Sequence, residues 1–566
     1  MGEATTRFVE RTLCPLGKGS HATPEFAENK SLCGAGILFM LPSLLAQGLL
    51  KAKEVFRLPS SHYYGLESVV LTLAFMALAR IKNPEQLKQC KPGEIGRLIG
   101  LDRIPEVRCL REKIKSISEQ QRSVHFNNLL IDQWYSDDNR EDTGFLYVDG
   151  HVRIYYGYKA NLPSKFISRQ KLCLSATSEF WVNDAVGMPV MMVMGELSEK
   201  LQTVIEHQII PRLMEAKLIS TDIVDQQEPQ CTFVFDREAY EPAFFQRLWE
   251  RYRIAIITYR KNVKDQWDAN RFESIDVQVL THVINMDLCE QETELGGYRM
   301  REIRRLGASG HQTAVITTHP YLETRQVAGR MFARWSQENF FRYLIQDYDF
   351  DKMISFGVET IDMEKTVVNP QYRKATYQLK KLREKKQRIE SKFYPLIEQA
   401  MDSELEVLPQ ITDKQMQYKH MLDDYNQEET LLVIERKKIQ PRIKLNQMPE
   451  EKRYNKLKTE SKIFMNVIKM ICYRAESAVA SLISPYLANA DKEKRMVVKQ
   501  IIQANADVIP DYKNNILKVV LYSLSANRYN QAAAELASLL NQTETTFPGT
   551  ELKIVFEISA NLDCDK

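Results

Sequence analysis

The chain has 566 residues, of which 44% are hydrophobic and 27% charged, and a net charge of +3. That length is enough for several domains with ample core, and the aromatic and charged fractions are those of a soluble globular protein. Nine cysteines lie scattered without a Cys-x-x-Cys or a Cys/His cluster at zinc spacing, which argues against a structural zinc or disulfide framework and for a reducing cytoplasm.

Residues 1–55 read as an N-terminal extension. Within it Gly34 to Leu50 is apolar, but Pro42, Ser43 and Gln47 interrupt a run already short for a membrane span, and no signal-peptide pattern precedes it. A buried helix is the expectation. Residues 56–135 are helical by period: Val69 to Leu78 form a dense helix, and Glu94 to Leu101 followed by Ile104 to Ile114 has the form helix, glycine turn, helix. As a helix-turn-helix, its second helix would offer Arg108 and Arg111, with Lys113 and Lys115, to DNA. A structural helix pair is nearly as good a reading.

Phe145 to Val148 is a short apolar run that breaks at Gly150 and resumes at Val152, predicting a hairpin with Asp149 beside its turn. Thr232 to Phe235 reads as a buried strand, and Asp236 stands at its carboxyl edge, where open α/β sheets place ligands. Taken singly, each Asp suits a turn or a helix cap. Pro242 to Arg253 reads as an amphipathic helix and Ile254 to Tyr259 as a strand, the rhythm of a mixed α/β sheet. Residues 262–321 follow as a β-rich insertion containing Trp267.

One helix is expected from about Glu323 to Gln346, with Met331, Phe332, Trp335, Phe341 and Leu344 on its apolar stripe. Glu338 falls on that stripe, although a pairing with Arg334 or Arg342 is the plainer reading. Pro370 to Tyr394 carries nine Lys or Arg against two Glu. There Tyr372, Ala375, Leu379, Leu382, Ile389 and Phe393 alternate steps of three and four until Pro395 stops the helix, which reads as a coiled-coil arm within 366–445. A second helix near Lys414 to Lys438 would fold back on it or pair between subunits. In 446–566, Ile463 to Leu487 and Ala526 to Leu540 read as helices and Leu552 to Phe556 as a strand.

Carboxylates at the ends of apolar runs lose water and recover that energy from a partner; converging ones recover it from divalent metal. Asp149, Asp236 and Glu338 therefore suggest two-metal phosphodiester chemistry. The order Asp-Gly-His-Val-Arg (149 to 153), Phe-Asp-Arg-Glu-Ala-Tyr (235 to 240) and Arg-Trp-Ser-Gln-Glu-Asn-Phe-Phe (334 to 341) resembles bacterial insertion-sequence transposases of the DDE type. Arg334 and Glu338 fit that family's pattern around the last acid, while Met331 stands where it has Tyr and Ile345 where it has Lys.

The resemblance implies an α/β fold: a ribonuclease-H-like mixed sheet (140–261 and 322–365) with the β-rich insertion, flanked by helical N-terminal and C-terminal regions including the coiled-coil arm. It also implies Asp149, Asp236 and Glu338 as catalytic acids holding two Mg²⁺, with Mn²⁺ as a substitute, and Arg334 on DNA phosphate. Trp267 would stack on a displaced base. The expected partners are double-stranded DNA, as element ends and target, and a second copy of the chain; no membrane is expected, and the setting is the bacterial cytoplasm at the nucleoid. The rival readings are a non-catalytic DNA-binding repressor and a helical scaffold protein.

Overall fold

In the computed structural model the apolar runs assemble into a ten-stranded mixed sheet. Its strands are β1 (Phe145–Ile154), β2 (Ser164–Ile167), β3 (Leu172–Asn183), β4 (Pro189–Gly195), β5 (Cys231–Phe235), β6 (Ile254–Tyr259), β7 (Glu273–Val279), β8 (His282–Leu295), β9 (Tyr298–Leu306) and β10 (Gln312–Thr317). The order across the sheet is β2-β3-β1-β5-β6-β10-β9-β8-β7, with β4 also paired to β3. Strands β1, β3 and β4 form an antiparallel meander, and β5 and β6 run parallel to β1 and to each other. Strand β10 then joins β6 antiparallel, so the β-rich insertion extends the main sheet.

The structure describes residues 6–135, 144–167, 170–196, 199–222, 227–279, 282–348, 357–402 and 408–559. They divide into two compact units. One comprises Met1–Tyr155, Ser164–Ser355 and Lys458–Lys566, and the other Tyr156–Pro163 and Phe356–Leu457.

Three sequence expectations are corrected. No hairpin forms at Gly150: β1 runs through it, and Gly150 pairs with Phe180 across the ladder. A Cβ on Gly150 would lie 3.0 Å from Glu238 Oε2 and 3.2 Å from the Phe180 ring, so glycine serves close approach here, not a turn. The helix expected from 323 to 346 is two, α2 (Thr324–Ala333) and α3 (Trp335–Tyr348), broken at Arg334. The stripe divides with it, since Met331 packs in a small core with the insertion and Leu344 in the large one. Third, the helix Pro370–Asp402 continues through Pro395, which is exposed, so water can take the carbonyl that its missing N–H leaves without a donor.

In the larger unit α1 (Val107–Ser118) buries Leu110, Lys113, Ile114 and Ile117, and α4 (Glu460–Ile483) is buried along most of its length. Charge on α4 is paired internally. Lys462 contacts Glu179 of β3, which also accepts from Arg153 Nε at 3.1 Å. Glu476 accepts from Tyr348 at 2.5 Å, from Arg80 at 3.0 Å and from Tyr343. These contacts tie α4 to the sheet and to α3. A second sheet joins the two ends of the chain: Asn29–Leu32 pairs with Ala506–Asp511, which pairs with Ile516–Leu521, and Lys553–Ile558 lies parallel to the last.

The apolar Gly34 to Leu50 stretch forms short helical turns, buried for the most part and broken at Gly48, whose φ is +85°. Among the described residues no single helix is long and apolar enough to cross a membrane; Ala35–Ala46 and Leu49–Val55 meet the length only as a pair bent by 62°.

The smaller unit contains the helices Pro370–Asp402 and Leu408–Lys438. Arg436 lies over the Tyr372 ring, while Arg383 Nε reaches Glu429 at 2.8 Å. Positions rise on one helix as they fall on the other, so the pair is an antiparallel hairpin, with Ala375, Leu379 and Leu382 buried.

Candidate active site

Two parallel strands bring the first two acids together. Phe145 to Val148 of β1 pair in register with Thr232 to Phe235 of β5. The next residue on each strand is an acid, Asp149 on one and Asp236 on the other. Strand side chains alternate between faces. Asp149 therefore shares the face of Tyr147, and Asp236 that of Val234, both members of the small core beneath α2.

Helix α2 crosses this face. Tyr147 donates its hydroxyl to the Arg330 carbonyl at 3.0 Å, and the Arg330 guanidinium lies 4.2 Å from the Phe145 ring centre. One helical turn beyond Arg330, at the break between α2 and α3, Arg334 reaches the acids: its guanidinium is 3.8 Å from Asp149 Oδ1 and 3.8 Å from Asp236 Oδ2. Both separations exceed a hydrogen bond, so the attraction is through space. Asp236 also accepts the Arg237 amide at 2.7 Å, a short cap at the start of the turn Arg237–Ala239.

Burial pushes the Asp149 carboxyl up to about 6; Glu238 and Asp236 add to the rise, and Arg334 and the Gly150 amide oppose it. Its side chain is 27% exposed, against 47% for Asp236. The shielded carboxyl carries the burden of like charge. Glu238, in the turn that follows Asp236, is a further acid whose charge Asp149 feels. Two hard oxygen donors whose charge Arg334 only partly offsets suit a divalent cation such as Mg²⁺. Among the described residues no group of three His, Cys, Asp or Glu side chains is arranged to hold a metal ion by itself. Glu338 is on α3, four residues beyond Arg334, and its side chain lies outside the described residues.

A family model described as "Transposase protein" matches residues 2–560. The chain belongs to this transposase family. No curated protein and no solved structure was found to match it.

The remaining residues singled out in this transposase sit apart from the two acids in sequence and in local packing. Arg108 and Arg111 are exposed on α1, where Arg108 pairs with Glu112 at 3.2 Å and Arg111 with Glu85. Lys113, expected beside them toward solvent, is on the buried face of that helix. Trp267 is 8% exposed, with Arg304 stacked 4.1 Å from its ring centre and its backbone clasped by Gln312.

Proposed function

We propose that the chain is a metal-dependent DNA transposase of the DDE type, cutting the ends of its element and joining them to target DNA. The observation that carries this reading is the juxtaposition of Asp149 and Asp236, each one residue past the paired run of two parallel central strands, with Arg334 between them. The order β4-β3-β1-β5-β6, with an antiparallel meander followed by two parallel strands, supports a ribonuclease-H-like core. The family match supports DNA as the partner.

In this reading Asp149, Asp236 and Glu338 would hold two Mg²⁺. Bound there, the ions supply the activation of a water or 3′-hydroxyl and the charge stabilisation of the leaving oxygen. Asp149 presents its oxygens from within β1 and Asp236 from the residue directly after β5, which keeps the donor positions constant from nicking to joining. Arg334, 3.8 Å from each acid and hydrogen-bonded to neither, would be the group that turns to a DNA phosphate once the acids' charge is met by metal. Arg108 and Arg111 are the exposed cations through which α1 meets DNA.

The test is a nicking assay on a plasmid carrying the element's own ends, with and without Mg²⁺. Binding without nicking would establish the repressor in place of the enzyme, and no binding to duplex DNA at low salt the scaffold.

A further inference from the structure

Helix α3 carries Glu338 and is separated from α2 by the break at Arg334, so the packing of α2 does not by itself set where α3 lies. Its far end is fastened instead. There Tyr348 donates to Glu476 at 2.5 Å, and Tyr343 donates to the same carboxylate. Asp347 pairs with Arg80 at 3.5 Å and with Lys499 at 3.5 Å, and the Gln346 carbonyl accepts from Lys82 at 3.0 Å.

Glu476 is wholly buried on α4, where a carboxylate is costly without partners. Arg80 supplies the opposite charge. Its guanidinium donates to the two carboxylate oxygens at 3.0 and 3.1 Å and to the Tyr343 hydroxyl at 2.9 Å, and it lies 4.5 Å from the Tyr348 ring centre. Arg495, on the helix Ala490–Gln503, adds a second cation 3.6 Å from Glu476. One carboxylate and one guanidinium thus hold both tyrosines of α3.

Arg80 also occupies a position whose backbone favours glycine. It follows the helix Leu66–Leu78 with φ +62°, its amide bonded to the Ala77 carbonyl and that of Ile81 to Met76, which is the left-handed turn that ends many helices. An arginine there takes on strain that glycine avoids. What it brings is the side chain that reaches Glu476, Tyr343 and Asp347.

We propose that Arg80 and Glu476 are positioning residues for metal binding: by fixing α3 through Tyr343 and Tyr348, they fix how Glu338 is presented to the ion. This rests on the assignment of Glu338 as a metal ligand. Asp149 and Asp236 come from the sheet, so of the three acids Glu338 is the one whose place depends on how a helix is fastened. Loosening the clamp displaces it without changing its charge.

The test is Mn²⁺ binding to the full chain, read from the electron paramagnetic resonance signal of the free ion, as a double-mutant cycle of Arg80→Gly and Glu338→Gln. Glycine suits the backbone at position 80, so Arg80→Gly removes the guanidinium without a strained replacement. Each single substitution should weaken Mn²⁺ binding by roughly tenfold or more, the range for groups that orient metal ligands. The two together should weaken it no further than Glu338→Gln alone. Tyr348→Phe keeps the ring, removes one donor to Glu476 and should show the same coupling with a smaller loss. Additive losses in the cycle would make the clamp a support of the fold alone, and unchanged Mn²⁺ affinity in both Arg80→Gly and Tyr348→Phe would likewise overturn the proposal. Wild-type affinity in Glu338→Gln would instead refute Glu338 as a ligand, and the positioning role with it.

Discussion

Asp149 and Asp236 occupy the positions that follow Val148 and Phe235, the last paired residues of two parallel neighbouring strands. Parallel register carries the acids to the same level of the sheet and the same face. Parallel pairing in register is enough to converge them, and Arg334 reaches both from the break between α2 and α3.

Arg334→Ala removes the cation between the acids. Metal then has no competing charge to displace, so half-saturating Mg²⁺ for nicking should fall. Loss of a phosphate contact should weaken DNA binding across all sequences and reduce the slope of binding against salt by about one. Titrating Mg²⁺ and salt separately checks both; an unchanged salt slope would remove Arg334 from the DNA contact.

Part of this was legible in the chain. A strand-forming apolar run ending in Asp is a local signal, so both acids were readable. Their pairing was not, because register between strands 87 positions apart is set by packing. The break at Arg334 was hidden too: Ala333, Arg334 and Trp335 include no glycine or proline, and what splits the stripe is that Met331 and Leu344 belong to different cores. Glu179, Lys462 and Glu476 gave no sign of burial, since a charged residue in a helix or strand reads as solvent-facing until its partner is known.

Burial alone would push Glu179 upward, yet Lys462 and Arg153 outweigh it and lower its carboxyl from 4.5 to about 2. Because the folded value is the depressed one, the unfolded chain takes the proton first. This contribution to stability is complete above pH 4.5 and is lost as pH falls toward 2. Glu179→Gln should flatten that acid limb in denaturant melts at several pH values. It should also cost about 3–5 kcal/mol near neutrality by removing the carboxylate charge that Lys462 and Arg153 face inside the fold. Equal acid slopes in variant and wild type would contradict the assignment.

Trp267 lies beneath Arg304, so truncation should act through packing. Trp267→Ala is expected to lose roughly 3–5 kcal/mol of stability and to slow first- and second-strand cleavage together. A selective loss of the second step, with melting unchanged, would restore the base-stacking role.

Arg108 and Arg111 are exposed and paired with acids, so Arg108→Ala and Arg111→Ala should each change stability by under about 1 kcal/mol. If they meet DNA, affinity for element ends drops by about 1–3 kcal/mol for base contacts, or the salt slope falls for phosphate contacts. Unchanged affinity at several salt concentrations would leave α1 a structural helix.

The most direct measurement is Mg²⁺-dependent nicking of a plasmid bearing the element ends, comparing wild type with Asp149→Asn and Asp236→Asn, each checked for unchanged melting and end binding. Both substitutions preserve shape and remove one carboxylate charge. The account predicts that wild type nicks only with metal and that each variant binds DNA yet nicks at least roughly 10³-fold more slowly, the several kcal/mol of charge stabilisation that metal supplies. A variant that nicks at the wild-type rate would contradict it.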